Sequence, residues 1–242
     1  VNSAGDTTFT STVDAASVTT NTDGRVVIKG GRVTTSGAQT YGENVFLDNV
    51  LRTTVLNTTD SAVSFAGTVK NNTANAQALT INAGAGAVTF TDAVGATGVN
   101  NAIGALVVNS TADTTFTNTV DAASVTTNNG GNVIIKGGRV TTSGAQNYGE
   151  NVWLDNASRT TVLNTTDSAV SFAGTVKNYT SNAEALTITA GTGDVMFTGS
   201  VGANTANGAM GTLGITNTGA VTFTSTVDAF SVYTATGSTL RI

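Results

Sequence analysis

The chain has 242 residues, of which 10% are charged and 6% aromatic, with a net charge of −5 and no Pro, Cys or His. The missing Cys excludes disulfides, thiolate metal sites and thiol nucleophiles, and the missing His removes the commonest general base. An acidic balance with scattered basic residues argues against a nucleic-acid partner, and no apolar run approaches a membrane span.

Val, Ile, Leu and Phe alternate with Thr and Ser in short runs, which is the period of half-buried strands. Helical spacing is sustained nowhere, and Gly and Asn punctuate the chain every few residues. Read from its start, Val1-Asn2-Ser3 matches Val108-Asn109-Ser110, and DAASVTT at Asp14 to Thr20 returns at Asp121 to Thr127. TTVLNTTDSAVSFAGTVKN at Thr53 to Asn71 recurs unchanged at Thr160 to Asn178. The spacing is 107 residues throughout, without insertion or deletion. One continuous segment over 1–242 is expected, with copy one at 1–107, copy two at 108–214 and a partial third copy at 215–242. Both termini fall inside a repeat unit, which reads as a window on a longer polymer.

A shorter period lies inside the long one. The second apolar residue of each V-x-F type strand gives Phe9, Ile28, Leu47, Phe65, Phe90 and Phe116, then Ile135, Leu154, Phe172, Phe197, Phe223 and Ile242. The gaps are 19, 19, 18, 25 and 26, repeated, so the long period reads as five coils. Further strands follow at Val13, Val33, Val69, Val94 and Val120, and the longer coils add Leu79/Ile81 and Leu106/Val108. Two or three strands per coil predict an all-β solenoid of about eleven coils of 18–26 residues. At roughly 4.8 Å per coil it is a rod of about 50 Å. Gly30-Gly31, Gly84, Gly86 and Asn71-Asn72 are expected at corners that need positive φ. The same register makes Lys29 and Asp48 outward neighbours on adjacent coils, and Lys136 and Asp155 their copies.

Few residues invite chemistry. Asp14, Asp121 and Asp228 follow a strand and read as corner residues, and no three acids cluster with a base as a polysaccharide-active enzyme would need. No cofactor, metal or catalytic residue is expected. Gly130-Gly131-Asn132 and Gly191-Thr192-Gly193-Asp194 lack the nine-residue period of a calcium-binding repeat. Thr8/Thr10, Thr89/Thr91, Thr115/Thr117 and Thr222/Thr224 have ice-binding spacing, but Val27/Lys29 and Phe46/Asp48 break the rank. Tyr41, Tyr148 and Trp153 are the distinctive aromatics, able to stack on a sugar ring or a neighbouring filament, or to pack a corner. Asn57, Asn71, Asn109, Asn156, Asn164 and Asn178 begin N-x-[ST], which this composition yields by chance.

VTTSGAQTYGENVFL at Val33 to Leu47, VTTSGAQNYGENVWL at Val140 to Leu154 and ALTINAGAGAVTF at Ala78 to Phe90 resemble the repeats of filamentous haemagglutinin-like exoproteins of two-partner secretion systems. The resemblance implies a right-handed parallel β-helix at the surface of, or outside, a Gram-negative-type bacterium. It further implies a role in adhesion, aggregation or biofilm matrix, and it carries over no catalytic residue. The expected function is the structural shaft of a giant secreted or cell-surface filament or adhesin. Its partners would be further repeats or neighbouring filaments, without nucleic acid and without membrane insertion. A module that binds surface glycans or host cells is the alternative, with ice binding or a polysaccharide-active enzyme behind it.

Overall fold

The computed structural model describes residues 1–96, 101–128, 130–202, 209–235 and 237–242. Among them are twenty-eight short strands and no helix. The strands pair in parallel with strands about one turn away in sequence, so the chain is a parallel β-helix.

Each turn carries three strands, one on each of three faces. The first face begins with Thr7–Phe9, Arg25–Ile28, Asn44–Leu47 and Val69–Asn71. The second begins with Val13–Ala15, Arg32–Thr35, Thr53–Thr58, Ala78–Gly84 and Ile103–Ser110. The third runs from Val18–Thr19 through Gln39–Tyr41, Val63–Phe65, Val88–Phe90, Thr114–Phe116, Asn132–Ile135 and Asn151–Leu154 to Val176–Asn178. Val94 carries the first face onward as a bridge between Val69 and Val120. Val120–Thr127 then bends around a corner. Its residues 120–122 pair on the first face with Val140 to Thr142, and 125–127 pair on the second with Gln146 to Tyr148. That bend joins two faces into one 16-stranded sheet. The described residues make ten complete turns and two-thirds of an eleventh.

Inward positions alternate with outward ones, as a two-residue period demands. Val63, Phe65, Val88 and Phe90 are buried, while Ser64 and Thr89 between them are half-buried on the outside. In-register stacking sets like on like. Tyr41, Phe65, Phe90 and Phe116 form a ladder with ring centroids 5.2, 4.9 and 5.4 Å apart and planes within 17°. Tyr148, Phe172, Phe197 and Phe223 form a second ladder at 5.3, 4.7 and 5.0 Å. Such spacing suits stacked aromatic pairs and fills a continuous apolar interior.

The register corrects the five-coil expectation. Leu47 pairs with Asn71, and Phe65 lies on Tyr41. Leu154 likewise pairs with Asn178, and Phe172 lies on Tyr148. Leu47 and Phe65 belong to different faces of the same turn, because Gln39–Tyr41 is a strand of its own and every turn needs a third strand. The other expected steps, Phe9 to Ile28 to Leu47 and Phe65 to Phe90 to Phe116, match the observed pairs. A 107-residue block therefore holds fourteen strand positions, not fifteen, and makes four and two-thirds turns. Equivalent residues in successive blocks sit on different faces. Phe9 is on the first face and Phe116 on the third, while Tyr41 is on the third and Tyr148 on the second.

Corners combine glycine with polar caps. Gly31 and Gly84 adopt φ of 72° and 57°, and a Cβ on Gly84 would meet Asp60 Oδ1 at 2.1 Å. Asn71 is instead the last residue of a strand, where its side chain accepts from Gln77 N and donates to Ala102 O. Among the described residues, Arg52, Asp60, Arg159 and Asp167 supply the non-glycine positive φ values.

Phe90, with a ring above and below it, should cost about 3–5 kcal/mol when truncated to Ala. Phe46→Ala, on an outward position, should cost much less. Urea denaturation of both variants measures the difference, and equal costs would contradict the ladder.

Candidate functional site

The outer surface is built from the middle residue of each strand and the residues flanking it. Thr8, Val27, Phe46 and Lys70 succeed one another up the first face. Thr40, Ser64, Thr89, Thr115, Ile134, Trp153 and Lys177 do so up the third. The hydroxyl-bearing stretch thus ends in an apolar and then an aromatic residue, which limits any flat Thr array.

Two clusters stand out on these rows. Phe46 has the Arg25 guanidinium 4.9 Å from its ring centre and Lys70 Nζ at 4.8 Å. Trp153, its copy, has Lys177 Nζ at 4.7 Å and the Tyr179 ring at 5.3 Å, while Lys136 Nζ lies 5.4 Å from the Tyr179 ring. Cations over aromatic faces gain from the ring quadrupole and keep their ammonium edges in water. Because a block turns the surface by one face, the first cluster lies on the first face and the second on the third.

Tyr41 and Tyr148 do not belong to this surface. They are 0% and 1% exposed, inside the ladders, and each hydroxyl donates to the side chain of a buried Gln, Gln39 at 2.9 Å and Gln146 at 3.0 Å. Burial pushes both phenol pKa values well up. Neither can stack on a glycan, because each faces inward in a strand whose middle residue, Thr40 or Asn147, points out. Trp153 is the one member of that trio on the surface.

Charge pairs bridge adjacent turns. Lys29 Nζ is 3.4 Å from Asp48 Oδ2, and Lys136 Nζ is 3.1 Å from Asp155 Oδ2. Sequence reasoning missed Asp6 with Arg25, at 2.7 Å, and the Arg partners of Asp14 and Asp121, which are strand residues rather than corner residues; Asp228 lies outside the strands, as expected of a corner. Asp121 accepts two bonds of 2.9 Å from the Arg139 guanidinium, and its side chain is 7% exposed. Asp14 and Arg32 are 3.6 Å apart with side chains 65% and 50% exposed. Asn57, Asn82 and Asn109 form an amide ladder through two 2.7 Å bonds. The spacing between turns was the available signal for all of these, had the three-strand turn been recognised.

Three glutamates are buried. Burial raises the Glu43 carboxyl pKa and pushes that of Glu150, its copy, up to about 8, against the Thr127 hydroxyl, which pulls it down. Glu184 is raised by burial first and by the Asp155 carboxylate second. Its counterpart in the preceding block is Gln77, whose side-chain oxygen accepts Asn49 N at 3.2 Å.

The fold and its surface define a parallel β-helical repeat protein. No protein-family model, curated protein or solved structure matches the chain.

Two outcomes are expected. A carboxyl whose folded pKa exceeds its ordinary value of 4.5 stabilises most while protonated, so the benefit is complete below 4.5 and lost as pH rises toward about 8. Glu150→Gln should therefore raise the melting temperature more at pH 8 than at pH 5, and Glu184→Gln should do the same; melts with flat differences across pH would contradict it. Asp121→Asn should cost about 1.5–3 kcal/mol, as for hydrogen bonds to charged groups, while Asp14→Asn should cost ~0–1 kcal/mol. Denaturation of the two variants decides between a buried fork and two ordinary surface pairs.

Proposed function

We propose that this chain is part of the structural shaft of a secreted or cell-surface bacterial filament or adhesin. The observation that carries this reading is the stacking of whole blocks: the strands of the second block continue the columns of backbone hydrogen bonds begun by the first, without a break at the junction. A repeat of this kind grows by addition, since each new turn pairs with the one before and extends the apolar interior by one layer. The likeness of VTTSGAQTYGENVFL and its copy to two-partner secretion exoproteins supports an extracellular, Gram-negative-type setting. The absence of Cys suits a chain whose stability comes from ladders rather than disulfides. In this reading the segment acts mechanically and carries no catalytic role.

Adding one 107-residue block to the chain should lengthen the rod by about 22 Å, four and two-thirds turns at the strand spacing, with no change in cross-section. Small-angle scattering of chains with zero, one and two added blocks measures both quantities. A growing cross-section, or a second globule on a tether, would rule out the shaft.

A further inference from the structure

We propose that shafts of this protein associate side by side, each block seating its cation-bearing aromatic face against the acidic corner of a second copy. The proposal rests on the shaft reading and names the partner for its flank.

The first block carries Arg25, Phe46 and Lys70 on the first face, over three successive turns. Asp60 and Asp113 lie at the corner between the second and third faces, which is the side opposite the first face of a three-sided helix. The second block repeats Phe46, Lys70 and Asp60 as Trp153, Lys177 and Asp167 after its turn by one face, with Asn132 in place of Arg25. Trp153 and Lys177 are on the third face, and Asp167 and Asp194 lie at the corner between the first and second. In both blocks the unpaired lysine, Lys70 or Lys177, and the corner aspartate that caps the next turn, Asp60 or Asp167, thus occupy opposite sides, while Asp6 and Asp48 sit with the paired cations Arg25 and Lys29.

Lys70 and Lys177 make no ion pair among the described residues, and neither do Asp60, Asp113, Asp167 and Asp194. Asp60, Asp167 and Asp194 hold one oxygen to a backbone N–H of the next turn, at 2.8, 2.9 and 2.7 Å, which fixes the carboxylate at an exposed corner. Arg25 is already paired with Asp6 at 2.7 Å, which leaves Lys70 as the unpaired cation of the first-block cluster, with Asp60 on the opposite side of the shaft. A parallel neighbour shifted by less than one turn brings Lys70 opposite Asp60 of the next copy.

The contact is head-to-tail across the shaft, so it does not close on itself. Because successive blocks point their cationic face in directions one-third of a turn apart, a shaft of three blocks would recruit neighbours on all sides and build a bundle rather than a ribbon.

Sedimentation of the 242-residue chain at low and high salt tests this, with circular dichroism to verify folding. Lys70→Asp with Lys177→Asp reverses the cationic side. Asp60→Asn with Asp167→Asn removes acid charge while keeping the oxygen that caps the next turn. The expected result is a wild-type self-association that weakens with salt, and roughly tenfold or greater weakening in each double variant. A wild-type chain that stays monomeric at low salt overturns the proposal. So does an association that both variants and high salt leave unchanged, which reports end-to-end stacking through apolar turns. Retention of a monomeric wild type on an acidic polysaccharide column, lost in the Lys variant, also overturns it and assigns the cationic face to a polyanion. Solitary rods of the right length would sink lateral association and leave the shaft reading standing.

Discussion

Backbone hydrogen bonding between one turn and the next, in register and in parallel, is the constraint from which the other features follow. It places each side chain directly above its counterpart, about 4.8 Å away. At that distance an inward residue must fit the residue above and below it, and an outward residue must tolerate or use them. Aromatic rings satisfy the first demand by stacking face to face, as Phe65, Phe90 and Phe116 do. Amides satisfy the second by bonding up the column, as Asn57, Asn82 and Asn109 do. Oppositely charged residues satisfy it by pairing across turns, as Lys29 and Asp48 do. Pro would remove a ladder donor, and the chain has none.

The same constraint explains how buried polar groups survive. Gln39 donates to Val33 O, Thr35 Oγ1 and Asn57 O while accepting from Tyr41, so an inward amide and hydroxyl are satisfied inside the coil. Gln146 repeats the network with Val140, Thr142, Asn164 and Tyr148. The buried glutamates are different. One carboxylate oxygen of Glu150 has no hydrogen-bond partner among the described residues, and burial pushes the carboxyl pKa up to about 8. Gln77, where the second block has Glu184, shows that the position works with a neutral amide.

Alternation and spacing made the parallel β-helix legible, along with the cross-turn partners of Lys29 and Lys136. They did not separate one face from another. Each face uses the same short apolar-x-apolar strand, so an 18-residue step from Leu47 to Phe65 resembled one turn when it was two-thirds of one. Gln39–Tyr41 escaped notice as a strand because its inward residues are Gln and Tyr, which do not read as core until their mutual hydrogen bond is seen. The choice between surface stacking and corner packing for Tyr41 and Tyr148 stayed open for the same reason, and their burial in the ladders decides it for packing. Columns of like residues hold the missing information: Tyr41, Phe65, Phe90 and Phe116 are successive aromatics at steps of 24, 25 and 26 residues.

The interchangeability of faces that hid the turn also makes the duplication workable. A block of fourteen strand positions cannot place its copy on the same face, since fourteen is not a multiple of three. It stacks all the same, because a V-x-F strand on the third face presents the same backbone and much the same inward volume as one on the first. Phe116 of the second block rests on Phe90 below and carries Ile135 above, while Phe9, its equivalent, carries Ile28. Fifteen positions would have aligned every outward feature along one side of the shaft. Fourteen distribute them around it, so the Phe46 and Trp153 clusters look in different directions although they arise from the same stretch of sequence. Surface polarity along such a shaft is therefore set by an arithmetic remainder between the block and the coil.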